Sequence, residues 1–134
     1  MKLTGQELRI LPGVVTIYLH VPLHFGTIRT LSDEDEAALA ELRERLTSSR
    51  ENAYDQAHTE EGADRAEIIR NRLSVTAETS LSPRERVLLV EALDACAVEM
   101  EHGGDVNIHF NGDEYGVRPE HLRTLKRRLE QANE

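Results

Sequence analysis

The chain has 134 residues, one cysteine, no tryptophan and a net charge of −9. This length suits a single domain over residues 1–134, and one cysteine cannot form an internal disulfide. An acidic chain with few aromatic residues lacks the positive charge and the stacking surface that nucleic-acid binding requires, so we expect no nucleic-acid partner.

The same features bear on the compartment. The first residues lack the apolar core of a signal peptide, and the longest apolar stretch, Val14 to Val21, is too short to cross a bilayer. A lone cysteine gives no indication of an oxidising environment. These observations favour a cytoplasmic protein that contacts no membrane.

A short helix is predicted over residues 4–11. Thr4 and Glu7 have the spacing of a capping box, in which a hydroxyl and a carboxylate each accept a hydrogen bond from a free amide. Pro12 and Gly13 follow, and they disfavour a helix interior by about 3 and 1 kcal/mol relative to Ala. The helix is therefore expected to end before Pro12.

The residues after Gly13 are mostly β-branched and favour a strand. This strand would pair with residues 27–31 in a β-hairpin over about 14–31. The alternative is one helix from Thr4 through Tyr18. Such a helix would have to contain both Pro12 and Gly13, so the hairpin is the preferred interpretation.

A second helix is predicted over residues 33–47, with a possible extension through Tyr54 and Ala57. Residues 31–64 contain eleven acidic and three basic side chains, a net charge of −8. Most segments with this much charge of one sign form an ordinary solvated surface. The functional alternative is an acidic face that binds a basic protein partner. The acids assigned to that face are Asp33, Glu34, Glu36, Glu41 and Glu44.

The middle of the chain gives weaker signals. No structure is assigned to residues 47–62 beyond the possible extension of the second helix. A third helix is predicted near residues 63–77, because Ala66, Ile69 and Leu73 lie at helical spacing.

The helix predicted over residues 83–101 has the strongest signals. Ser82 and Glu85 form a capping box around Pro83, which suits the first helical position. Cys96 lies on its apolar stripe and is expected in the core. The apolar arc is wider than one face, which predicts burial on two sides or contact with another subunit. A homodimer is therefore expected.

Asn111-Gly112 predicts a second β-hairpin over about 105–117, because both residues tolerate the positive φ of a type I′ turn. A last helix begins at Pro119. The second hairpin and last helix resemble the first hairpin and second helix, with a shared G-x-V-x-I pattern and identical leucine spacing. The predicted fold is α+β, with a small antiparallel sheet from two hairpins, four or five helices and a weak internal repeat.

Four possible metal ligands lie around the second hairpin. Zinc sites need three or four converging histidine, cysteine or carboxylate ligands. No pair here has the spacing that places two imidazoles on one helical turn, and an ordinary cross-strand ion pair would explain two of the four. A small metal-dependent enzyme is the alternative hypothesis, with ligands His102, His109, Glu114 and His121.

The sequence has no nucleophile–base arrangement and no glycine-rich phosphate loop, so no cofactor is expected. The preferred hypothesis is a non-enzymatic protein-binding or regulatory module. Its sharper form is an acidic inhibitor, such as an immunity protein or antitoxin, that masks a basic partner. In the competing account, bases of the last helix neutralise the acids of residues 33–64 internally; these bases are Arg123, Lys126, Arg127 and Arg128.

Overall fold

The computed structural model describes residues 1–20, 31–61, 76–102 and 117–131. These residues form four helices and one pair of short strands. The elements in chain order are β1 (Lys2–Thr4), α1 (Gly5–His20), α2 (Asp33–Glu61), β2 (Thr76–Glu78), α3 (Pro83–Glu101) and α4 (Pro119–Gln131). Among them, no helix is both long and apolar enough to span a bilayer.

The predicted α+β class with two hairpins is wrong, because most of the described residues are helical. Residues 14–20, expected in a strand, continue helix α1, so the hairpin over 14–31 and the hairpin–helix repeat are both incorrect. The second predicted hairpin falls almost entirely on residues 103–116, which lie outside the described residues, as do residues 63–75 of the third predicted helix. The end of that helix is instead strand β2.

Helix α1 contains Pro12, so the alternative of one continuous helix matches the structure. Leu8, Leu11 and Val15 are fully buried at helical spacing, and a break at Pro12 would split this surface. Burying these three side chains contributes about 1.5–3 kcal/mol each, which together exceeds the cost of about 3 kcal/mol for Pro12 and about 1 kcal/mol for Gly13 in a helix interior. Packing therefore outweighs local preference along this segment.

The only strand pairing among the described residues joins the start of α1 to the segment before α3. β1 and β2 are antiparallel, with Leu3 opposite Ala77, and Leu3 is fully buried. Thr4 and Glu7 form the predicted capping box, with N–H···O distances of 2.9 and 3.2 Å. The strand pair fixes where α1 begins relative to α3.

Helix α3 has the predicted bounds and the predicted capping box at Ser82 and Glu85. Cys96 is buried, as expected, and its thiol lies 4.0 Å from the Val14 carbonyl of α1. On another side of α3, Asp94 pairs with Lys126 of α4 at 3.2 Å. The wide apolar arc is thus covered by α1 and α4 of the same chain.

Helices α2 and α4 each bury one leucine stripe. α2 includes the extension past residue 47, and Tyr54 in that extension is 5% exposed. The six leucines expected inside are all buried: Leu39, Leu42, Leu46, Leu122, Leu125 and Leu129. The leucine spacing therefore predicts the inner faces of both helices correctly.

Gly13→Ala is expected to raise the free energy of unfolding by about 0.5–1 kcal/mol, because glycine loses more backbone entropy in a helix than alanine. Gly13 is half-buried and lines an open groove between α1 and α2, so a methyl group has room. Urea denaturation measures the change. Gly13→Val is the control. In a helix the valine variant should be less stable than the alanine variant, and the reverse order of stability would contradict a helical α1.

Candidate functional site

The five predicted acids all lie on α2 and are all exposed. We call them the acidic face: Asp33, Glu34, Glu36, Glu41 and Glu44. Most of them lie opposite the buried leucines of α2, and Glu36 lies at the edge of the set, as the helical repeat requires. The structure therefore brings the predicted residues together on one exposed surface.

The bases of α4 do not pair with this surface. Lys126 pairs with Asp94, Arg123 pairs with Glu101, and Arg128 pairs with Glu7 of α1. Among the described residues, Arg127 donates only to the neighbouring Thr124 hydroxyl, at 3.5 Å. The account in which α4 neutralises α2 within the chain is therefore wrong.

The acids of the acidic face also lack other basic partners. Among the described residues, none of their five carboxylates forms an ion pair. Like charges one helical turn apart repel by a few tenths of a kcal/mol. The acidic face consequently presents uncompensated negative charge.

Two arginine–carboxylate contacts attach α2 to α3. Arg84 donates to both carboxylate oxygens of Asp35, at 2.5 and 3.2 Å, and this hydrogen bond and the Asp35 charge raise the pKa of Arg84. Arg45 donates to Glu85 at 2.7 Å and to the Ser80 carbonyl. These contacts hold α2 in one orientation, so the acidic face has a fixed position.

A polar cavity of about 450 Å³ opens beside the acidic face, and we call it the α2–β2 cavity. One wall is α2 and the other is the segment from Glu78 to Ser80. Thr79 is 4% exposed, and its hydroxyl oxygen is buried with no hydrogen-bond partner in the described part of the chain. The lining residues are Glu41, Glu44, Arg45, Ser48, Ser49, Asn52, Glu78, Thr79 and Ser80.

A second open groove, of about 540 Å³, lies between α1 and α2. Its charged lining includes Arg43, which donates to the Thr16 hydroxyl at 3.3 Å, and Arg50, which pairs with Glu51 at 3.1 Å. The partner of Arg43 is thus a neutral hydroxyl, whereas Arg50 is paired with a carboxylate. Glu44 of the acidic face also lines this groove, so its lining carries charge of both signs.

The possible metal ligands are only partly described. His102 ends α3, with its Nδ1 2.9 Å from the Val98 carbonyl oxygen, and His121 in α4 accepts a hydrogen bond from the Arg118 amide. His109 and Glu114 lie outside the described residues. Within the described ranges, no three histidine, cysteine or acidic side chains could hold a metal ion together.

Cys96 is unsuited to nucleophilic chemistry. Burial, with a smaller contribution from the nearby Glu99 charge, raises the pKa of its thiol to about 12. A neutral thiol is a poor nucleophile, and this one lies in the core. Cys96 therefore acts as a small apolar residue.

Comparison with known proteins gives no match to a family model, a curated protein or a solved structure. The chemistry of the described residues is therefore the basis for any functional inference. Sequence reasoning identified the acidic face but missed the cavity beside it. In the sequence, its second wall is marked only by the hydroxyl side chains of Thr79, Ser80 and Ser82. Such residues are equally typical of an ordinary loop before a helix.

Glu85→Gln is expected to destabilise the protein near neutral pH. Burial raises the pKa of Glu85, but the hydrogen bonds from Arg45 and Ser82 outweigh it and hold this pKa below its ordinary value of 4.5. A carboxyl whose pKa is lower in the folded state stabilises above its unfolded pKa and loses that contribution as pH falls through the folded value. The wild type should therefore exceed Glu85→Gln in stability above about pH 4.5.

Urea denaturation of both proteins across the range from neutral to strongly acidic pH measures this difference. Glutamine can still accept the capping hydrogen bond, so the comparison leaves the cap and removes the charge together with the oxygen that accepts from Arg45. The gap should close at low pH, where the wild-type carboxyl is neutral. A gap that is independent of pH would contradict the role assigned to the Arg45–Glu85 contact.

Proposed function

We propose that this protein is a non-enzymatic regulatory module whose acidic face binds a basic protein partner. The observation that carries the proposal is the set of ion pairs formed by the basic side chains of α4. Its bases pair with Glu7, Asp94 and Glu101 of α1 and α3, and not with the acidic face. The five exposed carboxylates of the acidic face are therefore available to an external partner.

Physical arguments connect such a surface to binding. Exposed charge of one sign raises the rate of encounter with a surface of the opposite sign and disfavours acidic competitors. The effect weakens with salt, because the Debye length falls from about 10 Å at 0.1 M to about 3 Å at 1 M. The sharper form of the proposal is an acidic inhibitor, of the immunity-protein or antitoxin kind, that masks a basic partner in the cytoplasm.

Binding of a basic partner is expected to weaken about 2- to 30-fold in Glu34→Gln/Glu41→Gln, since each exposed ion pair contributes about 0.2–1 kcal/mol. The matched control is Glu120→Gln/Glu130→Gln on α4. It makes the same change in net charge, and Glu34 and Glu120 both lie in the first turn of their helices. The helix-dipole effect of these two substitutions is therefore similar, whereas Glu130 lies in the last turn of α4 and Glu41 in the interior of α2.

The measurement is a chemical cross-linking pull-down at low and high salt, followed by titration of the recovered partner against all three proteins. The proposal expects a partner that the wild type and the α4 control capture and that the α2 variant loses. Equal capture of basic proteins by all three would overturn it. Urea denaturation of the variants checks that all three remain folded.

Self-association remains a prediction, but the structure removes the observation on which the prediction rested. The apolar arc of α3 that suggested a homodimer is covered by α1 and α4 of one chain. Val87, at 46% exposure, is the one large hydrophobic side chain on α3 that is exposed. Sedimentation velocity at tens of micromolar protein measures the oligomeric state. The prediction requires a dimer, and a monomer throughout would contradict the prediction.

A further inference from the structure

We propose that the groove between α1 and α2 receives a carboxylate side chain of the basic partner, and that Arg43 binds it. This inference rests on the proposed function, because it adds a second contact beside the acidic face. The acidic face attracts basic surfaces in general. A contact that requires one carboxylate at a fixed place among the bases excludes basic surfaces that lack it.

Arg43 extends from α2 across the groove to α1. Its Nη1 donates to the Thr16 hydroxyl at 3.3 Å, and both residues line the groove. The Thr16 hydroxyl donates its own proton to the Pro12 carbonyl at 3.0 Å, so toward Arg43 it can only accept. The guanidinium group is therefore held between the two helices by an acceptor of fixed orientation.

The charge of Arg43 is not neutralised within the described part of the chain. Its hydrogen bond to Thr16 goes to a neutral oxygen and is long for an N–H donor, and Arg43 forms no ion pair there. The other two arginines of α2 each pair with a carboxylate, at 2.7 and 3.1 Å. A guanidinium has five N–H donors, so most of those of Arg43 remain for a ligand or water.

The groove has room and a further donor beside this guanidinium. Its volume is about 540 Å³, which exceeds that of a carboxylate group, and Gly13 adds no side chain to the α1 wall. Ser48 lines the α2 wall, is exposed, and has a hydroxyl that can donate. A carboxylate in the groove would therefore meet one charged donor and one neutral donor.

The surroundings of the groove favour a carboxylate of a basic protein over phosphate. A carboxylate matches the planar fork of a guanidinium and carries one negative charge, whereas a phosphate group carries about 1.5 to 2 near neutral pH. Glu44 of the acidic face also lines the groove, and its repulsion of an anion grows with the charge of that anion. Because Glu44 belongs to both surfaces, a partner docked on the acidic face lies beside Arg43. The bases of such a partner offset the repulsion of its carboxylate.

The direct test titrates the full chain with sodium acetate, and separately with sodium phosphate, at constant ionic strength and slightly above neutral pH. Two-dimensional NMR follows the backbone amides and the side-chain Nε–H of Arg43. Acetate should shift this Nε–H and the amides of Gly13 and Thr16 in a saturable way. The expected Kd is about 10–100 mM, as for one charged hydrogen bond, and phosphate should bind no more tightly. Absence of these shifts, or tighter binding of phosphate, would overturn the proposal.

Arg43→Gln removes the charged donor and should abolish the acetate shifts at Gly13 and Thr16. Arg127→Gln is the matched control, because Arg127 also donates only to a threonine hydroxyl among the described residues, at 3.5 Å. The control should bind acetate as the wild type does. Arg43→Lys keeps the charge without the planar fork and should bind acetate about 3- to 10-fold more weakly. Equal binding by the wild type and Arg43→Gln would overturn the proposal, and urea denaturation checks that the variants are folded.

The partner recovered in the pull-down tests where the carboxylate comes from. Arg43→Gln and Arg127→Gln each make the net charge of −9 one unit more negative, so steering by charge alone predicts stronger binding of a basic partner by both. The proposal instead expects about 3- to 10-fold weaker binding by Arg43→Gln and no weakening by Arg127→Gln. Undiminished binding by Arg43→Gln overturns the groove contact and leaves the acidic face. A partner captured equally by the wild type, the acidic-face variant and the α4 glutamate control overturns the proposed function itself.

Discussion

The burial of α3 on two sides is the constraint on which the rest of the fold depends. Its apolar arc is too wide for one neighbour, so α1 covers the side with Cys96 and α4 covers another. Each buried leucine or valine contributes about 1.5–3 kcal/mol, and several of them together outweigh the cost of Pro12 and Gly13 and keep α1 helical. Helix α2 packs mainly against α1, and its link to α3 is largely electrostatic, through Arg45 and Asp35. The apolar core therefore includes all four helices, and the two arginine–carboxylate contacts add polar links between α2 and α3.

This arrangement determines where charge remains uncompensated. The bases of α4 face α3 and the start of α1, where they meet Asp94, Glu101 and Glu7. They cannot also reach the outer side of α2, because that side is directed away from the core that holds α4. The acidity of the chain is therefore concentrated by topology as well as by composition. A sequence with the same net charge and a different helix order would not present the same surface.

The parts of the fold that could be predicted depend on interactions between residues close in sequence. The parts that could not be predicted depend on contacts between residues far apart in sequence. The start of α3 depends on Ser82 and Glu85, three residues apart, and the inner faces of α2 and α4 depend on leucine spacing, so local patterns suffice. The continuation of α1 past Pro12 depends on burial against α2 and α3, which no local pattern contains. The acidic face could be predicted because its members share one helix. The cavity could not, because Thr79 reaches α2 only through the pairing of β1 with β2.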